Sequence, residues 1–392
     1  MGFESERSVG LIQTATATIP FNRPYAGGKE YEYIRQAIEN GHVSGNGPFT
    51  RQCQKMLEEL LGVPKVLLTT SCTDALELAA LLIDIQPGDE VIVPSFTFVS
   101  TVNAFVLRGA RPVFLDIRAD TLNLDEAQIG AAIGPNTRAI VPVHYAGVGC
   151  EMEKILEIAA CFDIPVVEDN AHGLFGEYRG KLLGTFGALA TLSFHETKNI
   201  SCGEGGALVI NDTRLTERAE ILRDKGTNRS RFLRGQVDKY TWVDVGSSFL
   251  PSDILAAFLY AQLERWESIQ AARSRVWNYY ANHLSGWARS EGVLLPRVPA
   301  HCEQSYHMFY MLMPEARMRD ALIAHLKQHG ILSVFHYQPL HLSEMGRVCA
   351  AREPHCPVTE DASARLIRLP FFNELTPDDQ ALIVECIQDF RG

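Results

Sequence analysis

The 392-residue chain has few basic residues for its number of acidic ones: 36 Lys and Arg stand against 47 Asp and Glu, a formal net charge of −11. A protein with this charge is a poor candidate for non-specific binding to nucleic acid or to anionic membranes. A phosphate-bearing ligand must be held by local features, since the overall field repels it. We therefore expect neither a nucleic-acid partner nor a membrane partner.

Long apolar runs and paired cysteines are also missing. No stretch is apolar for long enough to span a bilayer, and the first twenty residues carry charges of both signs without the apolar segment of a signal peptide. The nine cysteines are scattered, and no two have the CxxC spacing of a zinc or redox site. These absences predict a cytoplasmic protein with reduced thiols, no disulfide framework and no metal site.

The middle of the chain contains short apolar strand patterns that alternate with helix-like runs. Strands are predicted at KVLLT (65–69), EVIVP (90–94), IPVVED (164–169), LATLSF (189–194) and GALVIN (206–211). This rhythm is typical of an α/β domain with a mostly parallel, doubly wound sheet.

The pattern changes after a long helical stretch at about 251–284. SYHMFYMLM (305–313) and LSVFHY (332–337) are interpreted as strands, and the last helix is predicted to start at a Thr376 N-cap with Pro377 in its first turn. We predict an N-terminal extension over residues 1–19, a large α/β domain over 20–265 and a smaller α+β C-terminal domain over 266–392.

Ligands of such sheets bind at the carboxyl ends of the strands, so the residues that follow each strand are the candidates for a site. Ser71, Cys72 and Thr73 follow the strand at 65–69 and precede a helix. Amides and hydroxyls at a helix N-terminus suit a phosphate. Taken alone, an ordinary helix cap is the commoner interpretation.

Asp169 ends the strand at 164–169. Its neighbour Glu168 must face the other way, because side chains alternate along a strand. A buried carboxylate needs a partner, and a protonated ring nitrogen would be one. His172 lies close enough in sequence to hydrogen-bond or stack nearby, although an isolated histidine is more often structural. Of Phe96 and Phe98, which follow the strand at 90–94, we expect one in the core and the other free to stack on a planar ligand.

Lys198, in SFHETKN after the strand at 189–194, is either a solvated surface charge, the commoner case, or a nucleophilic amine. Together with the phosphate donors, the aromatic ring and Asp169, it completes the set that pyridoxal phosphate requires. A lysine forms a Schiff base with this cofactor, an acid pairs with its ring nitrogen, and amides and hydroxyls hold its phosphate. A desolvated lysine also loses its proton readily and can serve as a general base.

From about Ile19 to the C-terminus, the chain resembles the DegT/DnrJ/EryC1/StrS sugar aminotransferases, a fold-type-I pyridoxal-phosphate family. The stretches that carry the resemblance are SCTDALELAALLIDIQPGDEVIVPSFTFVSTVNAFVLRGA, VPVHYAGV, SFHETKN, GEGGALVIND, DKGTNRSRFLRGQVDKYTW, VGSSFLPSD and VFHYQPLH.

The resemblance implies a role for each matching residue. Lys198 matches the Schiff-base lysine, Asp169 the partner of the pyridine nitrogen, and His172 a contact to the ring hydroxyl, where many relatives have Gln. The remaining cofactor contacts are implied for Cys72, Thr73 and Ser193 at the phosphate, for Phe98 on the ring face, and for Ser248, which would reach the phosphate from the partner subunit of a homodimer. Many relatives carry Asn at the last position.

Substrate contacts are implied for His336 and Tyr337, which would face the nucleotide sugar, although a core position is an equally good interpretation of that segment. Arg229 lies in a basic loop whose default interpretation is a solvated surface. In a dimer, Arg229 would meet the substrate diphosphate or the carboxylate of the amino donor.

The family resemblance implies transfer of an amino group from glutamate to C4 of dTDP-4-keto-6-deoxyglucose, with the galacto amino sugar as product. A 3-keto sugar-nucleotide aminotransferase and a 4-aminotransferase giving the gluco epimer are the alternatives. A pyridoxamine-dependent dehydratase is disfavoured, because those relatives replace the lysine with histidine. A regulatory, DNA-binding protein is disfavoured by the acidic charge and by the lack of a recognisable helix-turn-helix.

Overall fold

The computed structural model describes residues 19–391. The α-helices of this range are α1 (Glu30–Glu39), α2 (Pro48–Leu61), α3 (Cys72–Leu82), α4 (Val99–Val106), α5 (Ile129–Ala132), α6 (Met152–Cys161), α7 (Thr216–Arg223), α8 (Arg229–Leu233), α9 (Asp253–Leu263), α10 (Trp266–Glu291), α11 (Ala316–Gln328), α12 (Glu344–Cys349), α13 (Pro357–Arg365) and α14 (Pro377–Asp389). Short 3-10 helices lie at Glu126–Gln128, Tyr145–Gly147, Thr213–Leu215 and Leu340–Leu342.

The strands are β1 (Lys65–Thr69), β2 (Glu90–Pro94), β3 (Arg111–Leu115), β4 (Thr137–Ile140), β5 (Val167–Asp169), β6 (Glu177–Tyr178), β7 (Lys181–Leu182), β8 (Leu189–Ser193), β9 (Gly206–Ile210), β10 (Cys302–Glu303), β11 (Tyr310–Leu312) and β12 (Leu366–Arg368). β6 and β7 form a small antiparallel ribbon with β10, and β11 pairs with β12.

The main sheet has the order β1-β9-β8-β5-β4-β2-β3. Ladders join the first four strands and the last three, and parallel bridges at Ile140–Val166 and Val143–Asp169 connect β4 to β5. β9 runs antiparallel to both of its neighbours, whereas the pairs β5–β8, β2–β4 and β2–β3 are parallel. The prediction of a mostly parallel sheet in an α/β fold is confirmed.

Helices cover both faces of this sheet because the strands bury alternate residues in opposite directions. In β1, Leu67 joins the core under α3, α4 and α7, while Val66 and Leu68 join the core under α2 and α9. In β2, Ile92 packs towards α5 and α6. A sheet that is buried on both faces leaves the strand ends as the places where a ligand can approach.

A separate apolar core lies in the C-terminal part, between α10, α11, α14 and the β11–β12 ribbon. Ile19 is buried in the same core; the rest of the predicted extension at 1–19 lies outside the described residues. The domain boundaries proposed at 19/20 and 265/266 stay a prediction. Within residues 19–391, no helix combines the length and apolarity needed to cross a bilayer.

Two predictions about local structure have different outcomes. α14 begins after Thr376, whose hydroxyl accepts the Asp379 N–H at 3.1 Å with Pro377 in the first turn, as predicted. The strand predicted over 332–337 is wrong. Only Val334 bridges to Arg368 there, because the chain then turns so that His336 and Tyr337 point into a cavity instead of alternating along a ladder.

Candidate active site

A cavity of about 300 Å³ opens where the parallel strands end. Most of the residues singled out in the sequence line it: Cys72, Thr73, Phe98, Asp169, His172, Ser193, Lys198, His336 and Tyr337. They come from the ends of β1, β2, β5 and β8 and from the segment before α12. The fold therefore gathers side chains that are far apart along the chain into one site.

One end of the cavity is formed by the N-termini of α3 and α4. Ser71 caps α3 by accepting the Asp74 N–H at 3.0 Å, and the Thr73 hydroxyl donates to Ser100 in α4 at 2.8 Å. Helix N-termini carry free amides and a partial positive charge. The cap and the anion site, which the sequence left as alternatives, are therefore compatible at this turn.

Gly206 at the start of β9 is required beside the same turn. A Cβ on Gly206 would lie 2.3 Å from the Ser71 carbonyl carbon and 2.4 Å from the Cys72 nitrogen. Because these are backbone atoms, they cannot move aside as a flexible side chain would. The missing side chain lets β9 support the turn directly from behind.

Asp169 faces the cavity from the end of β5 and is 4% exposed. Its Oδ2 accepts a 2.7 Å hydrogen bond from the Thr101 hydroxyl, and its Oδ1 accepts the Ala171 N–H at 3.1 Å. A buried carboxylate held by these two donors keeps a free lone pair on each oxygen, which can accept a hydrogen bond from a ligand in the cavity.

Glu168 points to the opposite side of the strand, as alternation predicts. Its carboxylate contacts His144 Nε2 at 2.9 Å and accepts the backbone N–H groups of Gly184, Phe186 and Gly187 at 2.9, 2.7 and 2.7 Å. With all these partners, Glu168 fixes the loop before β8. The two adjacent acids therefore have different tasks.

Lys198 closes a turn after β8, where its N–H donates to the His195 carbonyl at 2.9 Å. Burial of the amine lowers the pKa of Lys198 to about 8, although Cys72 and Asp169 favour the ammonium form. Lys198 lines the cavity and is half-buried, which agrees with the interpretation as an amine in a cleft; its role as a nucleophile stays a prediction. With this pKa about a tenth of the amine is unprotonated at pH 7, far more than for a free lysine.

His172 is buried against His307, with ring centroids 4.2 Å apart and an interplanar angle of 17°. Desolvation, and then the charge of Lys198, lower the pKa of His172 well below its ordinary value, so the ring is neutral. Its Nδ1 is buried without a hydrogen-bond partner among residues 19–391. Such an atom is available to a polar group of a ligand.

Some aromatic residues near the cavity are buried in the core, and others line the cavity. Phe96 is 1% exposed and packs on Tyr145 and Tyr337, whereas Phe98 is 57% exposed at the start of α4. One of the two phenylalanines is thus in the core, as expected, and the other lines the site. Tyr337 stacks on His336 at 3.5 Å, and both rings line the cavity.

Ser248 and Arg229 do not line this cavity. Both are exposed, and both are tied to Asp224: Ser248 through a β-bridge, and Arg229 through an ion pair at 3.9 Å. Within a single chain, the structure therefore does not bring them to the site. Their predicted role requires delivery from a second subunit and stays a prediction.

Sequence reasoning missed several residues of the site: Thr97, Ser100, Thr101, His195, Thr197, Glu204, His307 and Arg368 all line the cavity. Thr97 and Thr101 lie in the SFTFVST stretch, in which only the aromatic residues were taken as candidates. Their hydroxyl groups follow shortly after the end of β2, and this position could have identified them as site residues. His307 and Arg368 come from the C-terminal core and had no such signal, since they reach the site only through tertiary packing.

A model of the DegT/DnrJ/EryC1/StrS aminotransferase family matches residues 24–388, and the chain belongs to this family. Members of the family depend on pyridoxal phosphate. The predictions of the family, of the fold-type-I architecture and of the cofactor class are therefore confirmed.

Solved structures agree with this assignment. The aminotransferase TlmJ from Streptoalloteichus hindustanus superposes with a TM-score of 0.86 at 30% identity, covering 95% of this chain and 98% of that one. A DegT DnrJ EryC1 StrS aminotransferase from Brucella abortus gives 0.84 at 30% identity over 93% and 95% of the two chains. Spr1654 from Streptococcus pneumoniae, assigned as a sugar aminotransferase, gives 0.87 in its PMP form at 26% identity over 95% and 98%.

Proposed function

We propose that this aminotransferase moves an amino group from glutamate to C4 of dTDP-4-keto-6-deoxy-D-glucose and gives dTDP-4-amino-4,6-dideoxy-D-galactose. The observation that carries the proposal is the meeting of the Lys198 amine, the Asp169 carboxylate and the Ser71–Thr73 turn in one cavity. The product would be an amino-sugar donor for glycan assembly, made in the cytoplasm.

The residues of the cavity fit pyridoxal phosphate. The α3 N-terminus with Cys72 and Thr73, together with Ser193, would hold the phosphate, and Asp169 would accept a hydrogen bond from the ring nitrogen. The unpartnered Nδ1 of buried His172 would meet the ring hydroxyl. When bound, the cofactor supplies a conjugated ring that takes up the electron pair released at the amine-bearing carbon.

Lys198 would carry the proton in this reaction. With its pKa lowered to about 8 by burial, the amine gains and loses a proton near neutral pH. A general base acts best when its pKa lies near the working pH. Asp169, held by Thr101, would keep the negative charge fixed on the far side of the ring.

The mouth of the cavity would bind the sugar nucleotide. Phe98 would cover one face of the cofactor ring, and His336 and Tyr337 would contact the sugar. In the proposed homodimer, the partner copy's Ser248 would add a phosphate contact, and its Arg229 would meet the substrate diphosphate. The exposure of both residues in one chain is consistent with that arrangement.

The choice of the C4 amine and of the galacto product rests on the resemblance of the long sequence stretches quoted in the sequence analysis to that type of sugar aminotransferase. Two alternatives keep the same cofactor and the same cavity: amination at C3 of a 3-keto sugar nucleotide, and amination at C4 to give the gluco epimer. The gluco epimer would arise if the amine were added to the other face of the sugar ring, whereas amination at C3 requires a 3-keto substrate. The accepted substrate and the product therefore decide between the three reactions.

The test is incubation of the protein, loaded with pyridoxal phosphate, with glutamate and dTDP-4-keto-6-deoxyglucose, followed by NMR of the purified product. The proposal expects nitrogen on C4, with a small H3–H4 coupling because H4 of a galacto sugar is equatorial. A large H3–H4 coupling would indicate the gluco epimer. Turnover only with a 3-keto sugar nucleotide would replace the proposal by the 3-aminotransferase.

A further inference from the structure

Asn199 directly follows Lys198 and is a buried residue to which the proposed reaction gives no task. Its Nδ2 donates to Gln270 Oε1 at 3.0 Å and to the backbone carbonyl of Ser305 at 2.6 Å. Its Oδ1 lies 3.0 Å from His307 Nδ1. The side chain of the residue after the lysine is therefore bound, by three hydrogen bonds, to the C-terminal part of the chain.

The chemistry of these partners fixes the orientation of the Asn199 amide. A backbone carbonyl such as that of Ser305 can only accept, so the amide nitrogen must face it. Both N–H groups are then used, and the amide oxygen accepts from His307 Nδ1. Burial lowers the pKa of His307 well below its ordinary value, so the ring is neutral and has its proton on Nδ1. Each group of Asn199 thus has one defined partner.

The segment 305–307, to which Asn199 binds, is itself held in an unusual conformation. Tyr306 has a φ of +53°, in the left-handed region that side chains other than glycine rarely adopt. Arg273 of α10 donates to the carbonyls of Tyr306 and His307 at 3.0 and 2.6 Å. A strained backbone persists only where the surrounding contacts determine it. Segment 305–307 is therefore a firm support for whatever binds to it.

The same segment contacts His172 on the other side. The Ser305 hydroxyl donates to the backbone carbonyl of His172, and the His307 ring stacks on the His172 ring. A continuous series of contacts thus leads from Lys198 through Asn199 and segment 305–307 to His172. The two ends of this series are cavity residues, and its middle fixes the distance between them.

The turn that contains Lys198 has few other ties to the C-terminal part. Among residues 19–391, Asn199 is the only member of 195–199 whose side chain hydrogen-bonds to residues beyond 265. The His195 ring contacts the Thr197 hydroxyl within the turn, and the Glu196 N–H donates to the Gly203 carbonyl in the same loop. Removal of the Asn199 contacts would therefore free the turn from its support.

We propose that Asn199 is a positioning residue, which holds the Lys198 turn against segment 305–307 and so fixes the amine of Lys198 relative to His172. The inference rests on the proposed function, in which Lys198 is the reacting amine, and adds a residue that acts through it. Pre-organisation of this kind keeps a reacting group in place before its partner arrives.

The position of the turn also controls how much water reaches the amine. Desolvation is the largest influence on the pKa of Lys198 and lowers it; Cys72 and Asp169 act in the opposite direction, and Arg368 acts in the same direction. A loosened turn would let water solvate the ammonium form. Without the Asn199 contacts, the pKa of Lys198 should therefore rise towards its ordinary value of 10.5.

The first experiment is competitive labelling of Lys198 with acetic anhydride in the cofactor-free protein. Asn199→Leu removes all three hydrogen bonds at similar volume and adds no charge. The half-point of labelling should move upward by roughly one pH unit. An unchanged half-point would overturn the inference.

Asn211→Leu is the matched control for this titration. Asn211 also donates to two backbone carbonyls, those of Gly184 and Gly187, at 3.2 and 2.8 Å, but it follows β9 at the opposite end of the β8–β9 pair. Its replacement should leave the half-point of Lys198 as in the wild type. The same shift in both variants would overturn the inference, because any lost hydrogen bond would then have this effect.

The second experiment follows the absorbance band that grows when pyridoxal phosphate is added, as the Lys198 nitrogen bonds to the aldehyde carbon and water leaves. At pH 7, Asn199→Leu should form the band about tenfold more slowly, because a rise of one unit in the pKa lowers the neutral fraction of the amine by this factor. At pH 10 the two rates should be equal, since both amines are then mostly neutral. A loss that persists at pH 10 would indicate general damage to the site and overturn the inference.

Circular dichroism checks the fold of each variant. If Asn199→Leu does not fold, Asn199→Ser, which keeps one donor, carries the test and should shift the half-point in the same direction by a smaller amount; no shift would overturn the inference. Neither experiment uses glutamate or a sugar nucleotide. A wild-type protein that forms the band but transfers no amino group would contradict the proposed function, and the labelling would still report on Asn199.

Discussion

Thr101 donates a hydrogen bond of 2.7 Å from its hydroxyl to Oδ2 of Asp169, and its own oxygen lies 2.7 Å from the Thr97 hydroxyl. Since the Thr101 proton is used on the carboxylate, Thr97 must donate to Thr101. These two hydroxyls orient Asp169, the only carboxylate among the residues proposed to bind the cofactor. Removing either hydroxyl therefore tests whether the orientation of Asp169 matters.

Thr101→Val removes the donor to Asp169 and keeps the shape of the side chain. We expect kcat/KM to fall about tenfold, because a hydrogen bond to a charged group is worth roughly 1.5 kcal/mol. Thr97→Val is the matched control, since it leaves the contact to Asp169 in place, and it should have a clearly smaller effect. Equal losses in the two variants would mean that the Thr101–Asp169 contact has no special role.

The lowered pKa of Lys198 predicts how its reactivity depends on pH. Burial disfavours the ammonium form, so the neutral amine persists to lower pH than in a free lysine. In the cofactor-free protein, competitive labelling with acetic anhydride, read by peptide mass spectrometry, should be half-maximal near pH 8, the value to which burial lowers the pKa of Lys198.

Asp169→Asn provides the control for the sign of this effect. The Asp169 carboxylate favours the ammonium form of Lys198, so its neutralisation should move the half-point of labelling to still lower pH. A half-point near the ordinary lysine value of 10.5 in the wild-type protein would show that the amine is solvated.

Gly206→Ala tests the support behind the phosphate turn. The new Cβ would lie 2.3 Å from backbone of Ser71 and 2.4 Å from that of Cys72, so the turn must shift at a cost of roughly 1–3 kcal/mol. We expect a lower melting temperature and weaker binding of pyridoxal phosphate in a fluorescence titration. Gly130→Ala, where a Cβ meets nothing within 4 Å, should leave both unchanged; a similar loss there would contradict the explanation.

Glu168→Gln tests the structural task assigned to the second acid of the pair. The carboxylate accepts the N–H groups of Gly184, Phe186 and Gly187 and contacts His144 in a fully buried position. Loss of its charge, and of one acceptor oxygen, should lower the free energy of unfolding by about 3 kcal/mol, because a buried network is then left partly unsatisfied. Urea denaturation measures this quantity.

Glu59→Gln is the control for that experiment. Glu59 is 67% exposed and pairs with Lys55 at 3.6 Å on the surface of α2, and such pairs contribute less than about 1 kcal/mol. If both glutamate variants lose the same small amount of stability, Glu168 does not hold the loop before β8.

Much of the site was predictable because it follows from strand ends. Side chains at the carboxyl ends of parallel strands converge whatever the details of packing, and this brought Thr73, Asp169 and Lys198 together. Alternation along β5 was sufficient to give Glu168 and Asp169 opposite directions. The capped start of α14 was readable for a similar reason, since Thr376 and Pro377 act through local backbone chemistry.

The site residues and the local structure that the sequence did not predict depend on contacts between segments that are distant along the chain. Arg368 and His307 come from the C-terminal core, and nothing in their local sequence distinguishes them from residues of that core. The segment 332–337 has the composition of a strand, yet a single bridge at Val334 is formed, and His336 and Tyr337 stack on each other at the cavity instead. For Ser248 and Arg229, the predicted partner is another copy of the chain.

The central claim is that Lys198 binds the cofactor and carries the reaction. Its most direct test combines two measurements: the visible absorbance of the protein mixed with pyridoxal phosphate, and the turnover of glutamate with the keto sugar nucleotide. Lys198→Ala should lose the absorbance band of the lysine-linked cofactor together with all turnover. Lys55→Ala, which changes a lysine that is 75% exposed on α2, should keep both. A Lys198→Ala protein with the same band and the same rate as the wild type would contradict the assignment of Lys198 and the account of the site built on it.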